Sequence, residues 1–457
     1  MGMYPNVLSM IGNTPLVELR GFETGPCQLL LKLENQNPGG SIKDRIGRSM
    51  IETAEREGRL KPGSTLVEAT AGNTGLGLAL VASQKGYRLV LVIPDKMSQE
   101  KVLHLKALGA EVVMTRSDVG RGHPQYYQDM AEEITRRTRG AFYVNQFNNP
   151  ANPLAHETTT GPEIWAQTNH AIDAMVCGVG SGGTITGLSR FFSRVAPQVE
   201  MVLADPVGSI LADYVQTGKT GEAGSWVVEG IGEDFVPPIA DLSRVRAAYS
   251  ISDAESLATA RKLLKDEGIL AGSSTGTLVA AAVRYCRAQD RPKRVVTLAC
   301  DSGSKYLSKM FNDFWLADRG FLETQSFGDL RDLISHRFAE GAVISVGPDD
   351  PLNIAYTRMR LYDVSQLPVL CNDKIVGIVD ESDLLLAVLN DGGVFQKPVR
   401  EFMTTKLQTI APEASVEDLL PIFDAGQVAI VASDEGFFGL ITRVDVVSYL
   451  RRQQKRI

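Results

Sequence analysis

The chain has 457 residues, 44% of them hydrophobic, and a formal charge of −7. This length exceeds one ordinary domain and is enough for a large core. The acidic balance excludes a nucleic-acid groove as the main site, and no apolar stretch is long enough to span a bilayer. The five cysteines are scattered, the five histidines are unpaired, and no signal-peptide pattern is present at the N-terminus. These features predict a cytoplasmic protein that has no metal site and binds neither nucleic acid nor membrane.

Apolar runs alternate with helical patterns between residues 60 and 320. The predicted strands are 64–70, 88–94, 111–115, 173–180, 200–206 and 294–300, and the predicted helices include 72–87, 100–110 and 181–195. Short strands separated by helices favour an α/β fold with parallel sheets flanked by helices on both faces. In such folds ligands bind beyond the carboxyl ends of the strands, so the loops that follow the strands carry the chemistry.

The sequence after residue 320 contains an internal repeat. Gly377 matches Gly439 and Asp383 matches Asp445, and both pairs are 62 residues apart (439 − 377 and 445 − 383). A fixed offset indicates a duplicated unit, here a small β-α-β-β-α-like module. Each copy alone is small for a core of its own, so we expect the two copies to pack together.

Lys43 follows a Pro-Gly-Gly-Ser turn at the predicted start of a helix. An ammonium group there faces the positive end of the helix dipole, where an acidic residue would be more stable. A lysine that merely reaches solvent would also explain the position. However, a helix N-terminus and partial burial both disfavour the charged form, and a lowered pKa is what an imine-forming lysine requires.

The glycine-rich segment 178–187 lies between a predicted strand and a predicted helix. Backbone N–H groups at a helix start can hold a phosphate group, and Thr184 adds a hydroxyl donor. The segment also matches the dinucleotide pattern G-x-G-x-x-G, but the nearest acidic candidate, Asp205, lies too far along the chain. A plain tight turn is the third alternative. The interpretation favoured here is a cup for a single phosphate.

Two further strand-to-helix loops carry polar groups. Thr70, Asn73 and Thr74 offer hydroxyl, amide and backbone donors that suit a carboxylate, although Asn73 and Thr74 would also serve as helix caps. Ser302 is either a cap of the next helix or a partner of a heteroaromatic nitrogen. The polar segment 145–165 is long for a loop and is typical of functional loops. A phosphate cup, an imine-forming lysine, a carboxylate site and a ring-nitrogen partner together indicate pyridoxal 5′-phosphate.

Six motifs occur in the order of a known family. They are IGNTPL (11–16), NPGGSIKDR (37–45), TAGNTG (70–75), GVGSGGTITG (178–187), VEGIGEDFVP (228–237) and DSGSKY (301–306). Residues 1–318 resemble the fold-type II pyridoxal-phosphate enzymes, the family of cysteine synthases and cystathionine β-synthases. The repeat resembles a tandem pair of CBS domains. The resemblance implies a catalytic domain of two open twisted sheets, a linker at 319–335, and small α+β CBS domains at 336–395 and 396–457.

The resemblance also implies site residues. Lys43 is similar to the lysine that forms the Schiff base and moves the α-proton, and Asn73 to the partner of the cofactor 3′-oxygen. Ser302 resembles the partner of the pyridine nitrogen, and a neutral serine there favours β-elimination over transamination. The phosphate loop corresponds to Gly180, Ser181, Gly182, Gly183 and Thr184. The residues corresponding to the substrate site are Thr70, Ala71, Thr74, Gln146, Gly232 and Glu233.

This chain departs from its family in three places. Ala71 stands where many relatives have serine, which removes a hydroxyl but keeps the backbone donor. Glu233 stands where animal and yeast cystathionine synthases have tyrosine, so it either binds the amino group of a second amino acid or faces water. The chain reaches IGNTPL without the haem-binding extension of the animal enzymes, which predicts that haem is not a cofactor.

The two CBS copies differ in the pattern that implies an adenosine site in this domain family, Gly-hydrophobic-hydrophobic-Thr-x-x-Asp. The second copy keeps Thr442 and Asp445, whereas the first keeps Asp383 but has Asp380 in place of threonine. A carboxylate at 380 would repel phosphate. We therefore expect at most one good site for an adenosine nucleotide or S-adenosylmethionine, in the second copy. A pair that serves only dimer contacts is the alternative.

The resemblance implies a homodimeric lyase that condenses L-serine, or an activated serine, with L-homocysteine, and that releases hydrogen sulfide when cysteine is the first substrate. The near alternative is a cysteine synthase that uses O-acetylserine and sulfide. A nucleotide-sensing module with a degenerate enzyme half, and an NAD-dependent dehydrogenase, are alternatives from other classes. The intact Lys43 and cofactor loops argue against both.

Overall fold

The structure, a computed structural model, describes residues 3–70, 72–95, 97–120, 122–322, 325–390 and 393–454. The chain divides into two compact units, residues 1–312 and 313–457. The limits predicted above for the linker and the two CBS domains stay predictions.

The first unit alternates strands and helices. Its strands are β1 (Leu16–Glu18), β2 (Gln28–Lys32), β3 (Thr65–Ala69), β4 (Arg88–Pro94), β5 (Glu111–Thr115), β6 (Ala141–Tyr143), β7 (Ala174–Gly178), β8 (Glu200–Pro206), β9 (Val245–Ile251) and β10 (Arg294–Leu298). Its helices are α1 (Lys43–Arg56), α2 (Asn73–Lys85), α3 (Gln99–Ala107), α4 (Tyr127–Arg137), α5 (Ala151–Ala155), α6 (Gly161–Gln167), α7 (Gly183–Val195), α8 (Leu211–Thr217), α9 (Asp253–Glu267) and α10 (Ser273–Arg287).

Two sheets form the core of the first unit. Among the described residues, one sheet has six strands in the order β1-β2-β10-β7-β8-β9 and the other has four in the order β5-β4-β3-β6. Neighbouring strands pair in parallel except β1 and β2, which are antiparallel. Strands such as β3 are buried along their whole length, as parallel strands covered on both faces must be. The predicted α/β core with two open sheets is confirmed.

Helices α1 and α2 meet through glycines, and this contact positions Lys43. A Cβ atom at Gly77 would lie 2.5 Å from the carbonyl oxygen of Lys43, and one at Gly47 would lie 2.7 Å from the carbonyl carbon of Gly77. Only glycine allows the two helix backbones to approach this closely. The start of α1 is therefore held against the helix that carries Asn73.

The second unit contains the two repeated copies. Its strands are β11 (Gln366–Cys371), β12 (Lys374–Asp380), β13 (Thr409–Ile410), β14 (Ala429–Ser433) and β15 (Gly436–Ile441). Its helices are α11 (Asp313–Asp318), α12 (Leu352–Tyr362), α13 (Glu381–Asn390), α14 (Leu420–Asp424) and α15 (Arg443–Gln454). The second copy follows the predicted β-α-β-β-α order. In the first copy an isolated parallel bridge between Val346 and Val369 takes the place of the first strand.

Each copy has its own hydrophobic cluster. The cluster of the first copy surrounds β11 and β12 and includes Leu352 and Met359 from α12. The cluster of the second copy surrounds β14 and β15 and also includes Leu330, Leu333 and Ile334, which precede the first copy in sequence. The chain therefore contributes a segment to the second copy before it forms the first.

Candidate active site

Lys43 is the first residue of α1, and the turn before it is fastened to the segment after β10. Ile42 N–H donates to the Cys300 carbonyl at 2.8 Å, and Ser302 N–H donates to the Gly40 carbonyl at 3.0 Å. The Ser41 hydroxyl oxygen accepts the Lys43 N–H at 3.2 Å. These bonds bring Lys43 and Ser302, which are far apart in sequence, to the same place.

The Lys43 side chain is half-buried. Burial lowers the pKa of its ammonium group below the ordinary value, while the nearby Cys300, Asp301 and Glu233 act to raise it. The desolvation effect is the largest, so the neutral amine is favoured relative to a lysine in water. The sequence argument for a lowered pKa at this position therefore has its physical cause in the structure.

The glycine-rich loop connects β7 to the N-terminus of α7. Gly182 has a φ of 88°, and a Cβ atom there would lie 2.5 Å from the Ala240 side chain. A Cβ atom at Gly183 would lie 1.8 Å from Asn152 Oδ1, and one at Gly180 would lie 2.7 Å from the Gly230 carbonyl oxygen. Only glycines fit these three positions. Because these positions have no side chain, a small anion could approach the backbone N–H groups at the start of α7, which fits the phosphate group of the predicted cofactor.

Two buried polar residues that the sequence analysis did not single out support this loop. Asn152 Nδ2 donates to the Ser181 hydroxyl at 2.9 Å and to the Gln146 carbonyl at 2.8 Å. His156 Nε2 lies 3.3 Å from the Thr184 hydroxyl. Burial, followed by Lys43 and Arg45, lowers the pKa of His156 well below its ordinary value. A neutral imidazole therefore lies behind the hydroxyl of Thr184.

The second glycine loop begins α2. Gly72 is the N-cap residue, with a φ of 113° and no side-chain cap, so the interpretation of Asn73 and Thr74 as mere helix caps is wrong. Asn73 Nδ2 donates to Asp301 Oδ2 at 2.6 Å. Thr74 Oγ1 donates to Gln146 Oε1 at 2.6 Å. The loop therefore contacts Asp301, which precedes Ser302, and Gln146, a predicted substrate residue.

The predicted substrate residues Thr70 and Ala71 lie directly before Gly72, and Gln146 lies in the segment 145–165. Thr70 Oγ1 accepts the Gly72 N–H at 3.2 Å, and Thr70 and Gln146 are both buried. Ala71 lies outside the described residues. The structure thus brings Thr70, Thr74 and Gln146 together at the start of α2, beside Asn73.

Ser302 has the capping role that was one of its two interpretations. Its hydroxyl oxygen accepts the Ser304 N–H at 3.3 Å at the start of a 3₁₀ turn, Gly303–Tyr306, and lies 2.8 Å from the Ser304 hydroxyl. The cap fixes the Ser302 side chain next to the turn that precedes Lys43. A capped hydroxyl still has hydrogen-bonding capacity for a ring nitrogen.

Glu233 and Gly232 belong to the loop after α8. Gly232 N–H donates to the Val179 carbonyl at 2.8 Å, which joins this loop to the phosphate loop. Glu233 N–H donates to the Ser209 hydroxyl at 3.0 Å. The Glu233 carboxylate interacts electrostatically with Lys43 and with Tyr127. The carboxylate is therefore close enough to influence the pKa of the Lys43 amine.

The predicted adenosine residues lie at the starts of two helices in the second unit. Thr442 Oγ1 donates to Asp445 Oδ2 at 2.6 Å, and Ser335 Oγ also donates to the Asp445 carboxylate. In the first copy Asp380 Oδ1 accepts the Asp383 N–H at 2.9 Å, and Asp380 N–H donates to the Asp383 carboxylate at 3.0 Å. Two carboxylates therefore face each other at the first copy, whereas a hydroxyl and one carboxylate meet at the second.

Glu68 is a buried carboxyl group directly before the substrate loop. Burial raises its pKa to about 8, although the backbone N–H groups of Gln146, Ala69 and Asn145 donate to it and oppose the shift. Two other buried carboxyl groups are raised less, Asp44 to about 7 and Asp205 to about 6. The protonated form of Glu68 is thus favoured at neutral pH.

In the wild type, the free energy of unfolding should fall between pH 4.5 and about 8. We expect Glu68→Gln to make this fall less steep. The folded protein keeps a proton that the unfolded chain releases, so this stability is full below pH 4.5 and is lost as the pH rises through the folded pKa. The slope is at most about 1.4 kcal/mol per pH unit. The measurement is the unfolding midpoint against pH, with the exposed Glu111→Gln as control. Equal slopes in wild type and Glu68→Gln would contradict the shift.

Two further findings concern the described residues as a whole. No group of three or more His, Cys, Asp or Glu side chains in them is placed to hold a metal ion. In the same part of the chain every helix is too short or too polar to serve as a membrane span. All five cysteines are free thiols in this structure.

Comparison with known proteins agrees with this geometry. Residues 7–301 match the family described as pyridoxal-phosphate dependent enzyme, and residues 331–390 and 399–452 match the CBS domain. The chain is 35% identical to cystathionine β-synthase of Dictyostelium discoideum, over 99% of this chain and 93% of that protein. It is 34% identical to the cystathionine β-synthase of Saccharomyces cerevisiae, over 97% of both chains.

Two solved structures resemble this one over about two thirds of the chain. A hydrogen sulfide-producing enzyme from Fusobacterium nucleatum has a TM-score of 0.63 and 35% identity, and covers 67% of this chain and 100% of its own. An O-acetylserine dependent cystathionine β-synthase from Helicobacter pylori has a TM-score of 0.63 and 34% identity, and covers 68% of this chain and 99% of its own.

The cofactor of this family is pyridoxal phosphate, and the glycine cradle at Gly180, Gly182 and Gly183 fits its phosphate group. The dinucleotide alternative for this loop has no support in these matches. The chain therefore belongs to the pyridoxal-phosphate-dependent enzyme family, in its cystathionine β-synthase branch with a C-terminal pair of CBS domains.

Proposed function

We propose that the protein condenses L-serine with L-homocysteine to L-cystathionine by β-replacement. The observation that carries this proposal is the meeting of three segments at the start of α1. The Lys43 side chain, whose pKa is lowered by burial, lies at a helix start fastened to Ser302 and packed against the helix of Asn73. The full-length similarity to cystathionine β-synthases from two organisms supports the same reaction.

Each cofactor-binding segment has a role at this site. The loop 180–184 holds the phosphate group, Asn73 the 3′-oxygen, and Ser302 the ring nitrogen. Pyridoxal phosphate, when bound, withdraws electron density from the α-carbon of an amino acid and acidifies its α-proton. Because Ser302 is neutral, it adds no charge at the ring nitrogen, which favours loss of the β-substituent over transamination.

Lys43 is the residue that moves protons. Its neutral amine is the group that would hold the cofactor aldehyde, and it would remove the α-proton of a bound serine. The ammonium of Lys43 would give this proton to the β-hydroxyl, which would leave as water. The amine would then take the proton of the homocysteine thiol, the thiolate would attack the β-carbon, and Lys43 would deliver the proton to the α-carbon. Thr70, Thr74 and Gln146, together with Ala71, bind the carboxylate of the first substrate and hold its α-carbon beside Lys43.

The identity of the first substrate is the main open choice. The Helicobacter pylori neighbour is named for its dependence on O-acetylserine, so an activated serine is the specific competitor of serine here. The test is mass spectrometric detection of cystathionine from homocysteine with each donor at equal concentration. We expect cystathionine with serine. Cystathionine formed only from O-acetylserine would reassign the donor, and cysteine formed only from O-acetylserine and sulfide would identify a cysteine synthase.

The Fusobacterium nucleatum neighbour is described as producing hydrogen sulfide. The same site would release hydrogen sulfide when L-cysteine takes the place of serine, because the sulfur then leaves from the β-carbon. We propose this as a side activity of the same residues. It requires no residue beyond Lys43 and the cofactor loops.

We expect Glu233→Gln to raise the KM for homocysteine about tenfold. This is the effect expected when one charge-assisted hydrogen bond to the substrate is lost. The half-buried carboxylate interacts electrostatically with Lys43 and would bind the amino group of the second amino acid. The visible spectrum with serine alone should not change. The exposed Glu222→Gln is the control, and an unchanged homocysteine KM in Glu233→Gln would show that the carboxylate only faces water.

The CBS pair is proposed to bind one adenosine ligand per chain, at Thr442 and Asp445 in the second copy. The facing carboxylates Asp380 and Asp383 disfavour a phosphate-bearing ligand at the first copy. Calorimetry with AMP, ATP and S-adenosylmethionine, with Thr442→Ala as control, tests this. No heat with all three would favour a pair that serves only dimer contacts.

The homodimer and the cytosolic location are also proposals. The dimer rests on the family, and the location on five free cysteines that show no disulfide. The absence of haem stays a prediction.

A further inference from the structure

A buried lysine outside the predicted site contacts two cofactor segments at once. The Lys305 side chain is buried. Its Nζ donates to the carbonyl oxygens of Gly39 at 3.2 Å and Gly40 at 3.0 Å, in the turn before Lys43. It also donates to Asn73 Oδ1 at 3.0 Å. Three donors of one ammonium group are thus all used on the frame of the cofactor site.

The Asn73 amide is consequently held at both ends by charged groups. Its oxygen accepts from Lys305, and its nitrogen donates to Asp301 Oδ2 at 2.6 Å. Rotation of the amide by half a turn would place the NH₂ group against the ammonium and the oxygen against the carboxylate. Both contacts would be repulsive, so this orientation of the amide is fixed by charge and not by shape alone. The amide nitrogen has two hydrogens, and it donates to Asp301 and also interacts with the Tyr306 hydroxyl, which itself donates to Asp301 Oδ2 at 2.6 Å.

We propose that Lys305 is a positioning residue that fixes the orientation of the Asn73 amide, with its oxygen towards Lys305, so that its NH₂ group is presented on the side of the 3′-oxygen of pyridoxal phosphate. This inference rests on the assignment of Asn73 as the partner of that oxygen. Lys305 itself does not touch the reacting atoms. It acts through Asn73, and the bonds to Gly39 and Gly40 keep it in place.

Opposing electrostatic effects act on the Lys305 ammonium group. Burial lowers its pKa, and Lys101 lowers it further, whereas Asp301 and Asp44 raise it. His104 also lies close, and Lys305 contributes to lowering the pKa of that imidazole. Burying an ammonium group is costly unless its hydrogens are all paired, and here three oxygens accept them.

The first test compares Lys305→Met, which keeps the length of the side chain but removes its donors, with Lys305→Arg, which restores charge and donors. The readouts are the pH dependence of the visible absorption band of the bound cofactor and the dissociation constant of the cofactor. We expect Lys305→Met to shift the apparent pKa of the band by about one unit and weaken binding about tenfold, the size of one charge-assisted hydrogen bond. Lys305→Arg should recover most of both effects.

The matched control is Lys293→Met. Lys293 is another buried lysine of the same unit, which donates to Glu200 and to Tyr285, both at 2.8 Å. Its loss should lower the stability of the protein without moving the cofactor spectrum. If Lys293→Met moves the spectrum as much as Lys305→Met does, the effect is general loosening and the proposal is wrong.

A double-mutant cycle separates this inference from the site assignment on which it rests. Asn73→Ala alone should shift the spectrum, and adding Lys305→Met should then cause no further shift. An unchanged spectrum in Asn73→Ala would overturn the role of Asn73 itself. A shift in Asn73→Ala with none in Lys305→Met, or full additivity of the two, would overturn only the role of Lys305.

Discussion

Replacing Lys43 by alanine should lower the rate of cystathionine formation by at least about 10³- to 10⁴-fold, the usual contribution of a positioned acid–base group. The amine has the lowered pKa that both its proposed tasks require, and both are lost in the variant. The measurement is the initial rate of product formation, followed by mass spectrometry at saturating serine and homocysteine.

Two controls make the Lys43 result specific. Lys219→Ala removes an exposed lysine of the same unit and should keep wild-type activity. Addition of a small primary amine to Lys43→Ala should restore part of the lost rate, because the amine can take over the proton transfer. Wild-type activity in Lys43→Ala would end the assignment of Lys43 as the residue that moves protons.

Gly183→Ala should weaken cofactor binding roughly ten- to hundredfold. A Cβ atom at this position would lie 1.8 Å from Asn152 Oδ1, so either Asn152 or the start of α7 must move. Overpacking of this kind costs about 1 to 3 kcal/mol. Because it displaces the loop that would hold the phosphate group, we expect the cost to appear as weaker binding of the cofactor. The measurement is a titration of the cofactor-free protein with pyridoxal phosphate, followed by visible absorption.

The control for Gly183 is Gly120→Ala, because a Cβ atom at Gly120 would meet no atom within 4 Å. That variant should bind the cofactor as the wild type does. Wild-type cofactor affinity in Gly183→Ala would mean that the phosphate group lies elsewhere, and the cradle formed by Gly180, Gly182 and Gly183 would lose its assigned role.

The local sequence pattern was sufficient to predict those features that depend on consecutive residues. The helix start at Lys43 and the strand-to-helix loop at 178–187 are read from glycine, proline and apolar spacing, and the structure has α1 and α7 at these places. The repeat is found from a fixed offset, and its second copy has the predicted element order. These features depend on neighbours in the sequence, so the sequence is enough to predict them.

Contacts between distant segments were not predictable in the same way. Lys305 reaches Asn73 across 232 positions, and His156 reaches Thr184 from a different helix. A lysine or histidine in sequence gives no sign of which backbone it will meet once the sheets have formed. The polar length of segment 145–165 was the available signal for Asn152 and His156, and for Lys305 it was membership of the DSGSKY motif.

The choice between a cap and a ligand partner also needed the structure. Asn73 was equally plausible as a helix cap, and only the positions of Gly72, Asp301 and Lys305 exclude that interpretation. Ser302 does act as a cap. Residue type and spacing are the same in both cases, so the difference arises from which groups the fold brings near.

The most direct test of the central claim follows the visible absorption of the purified protein with bound pyridoxal phosphate during titration with L-serine, and then with L-homocysteine. We predict that serine changes the spectrum and that homocysteine restores it with release of cystathionine, because Lys43 then holds the cofactor again. A spectrum that responds to neither serine nor O-acetylserine, in protein that retains the cofactor, would contradict β-replacement at Lys43.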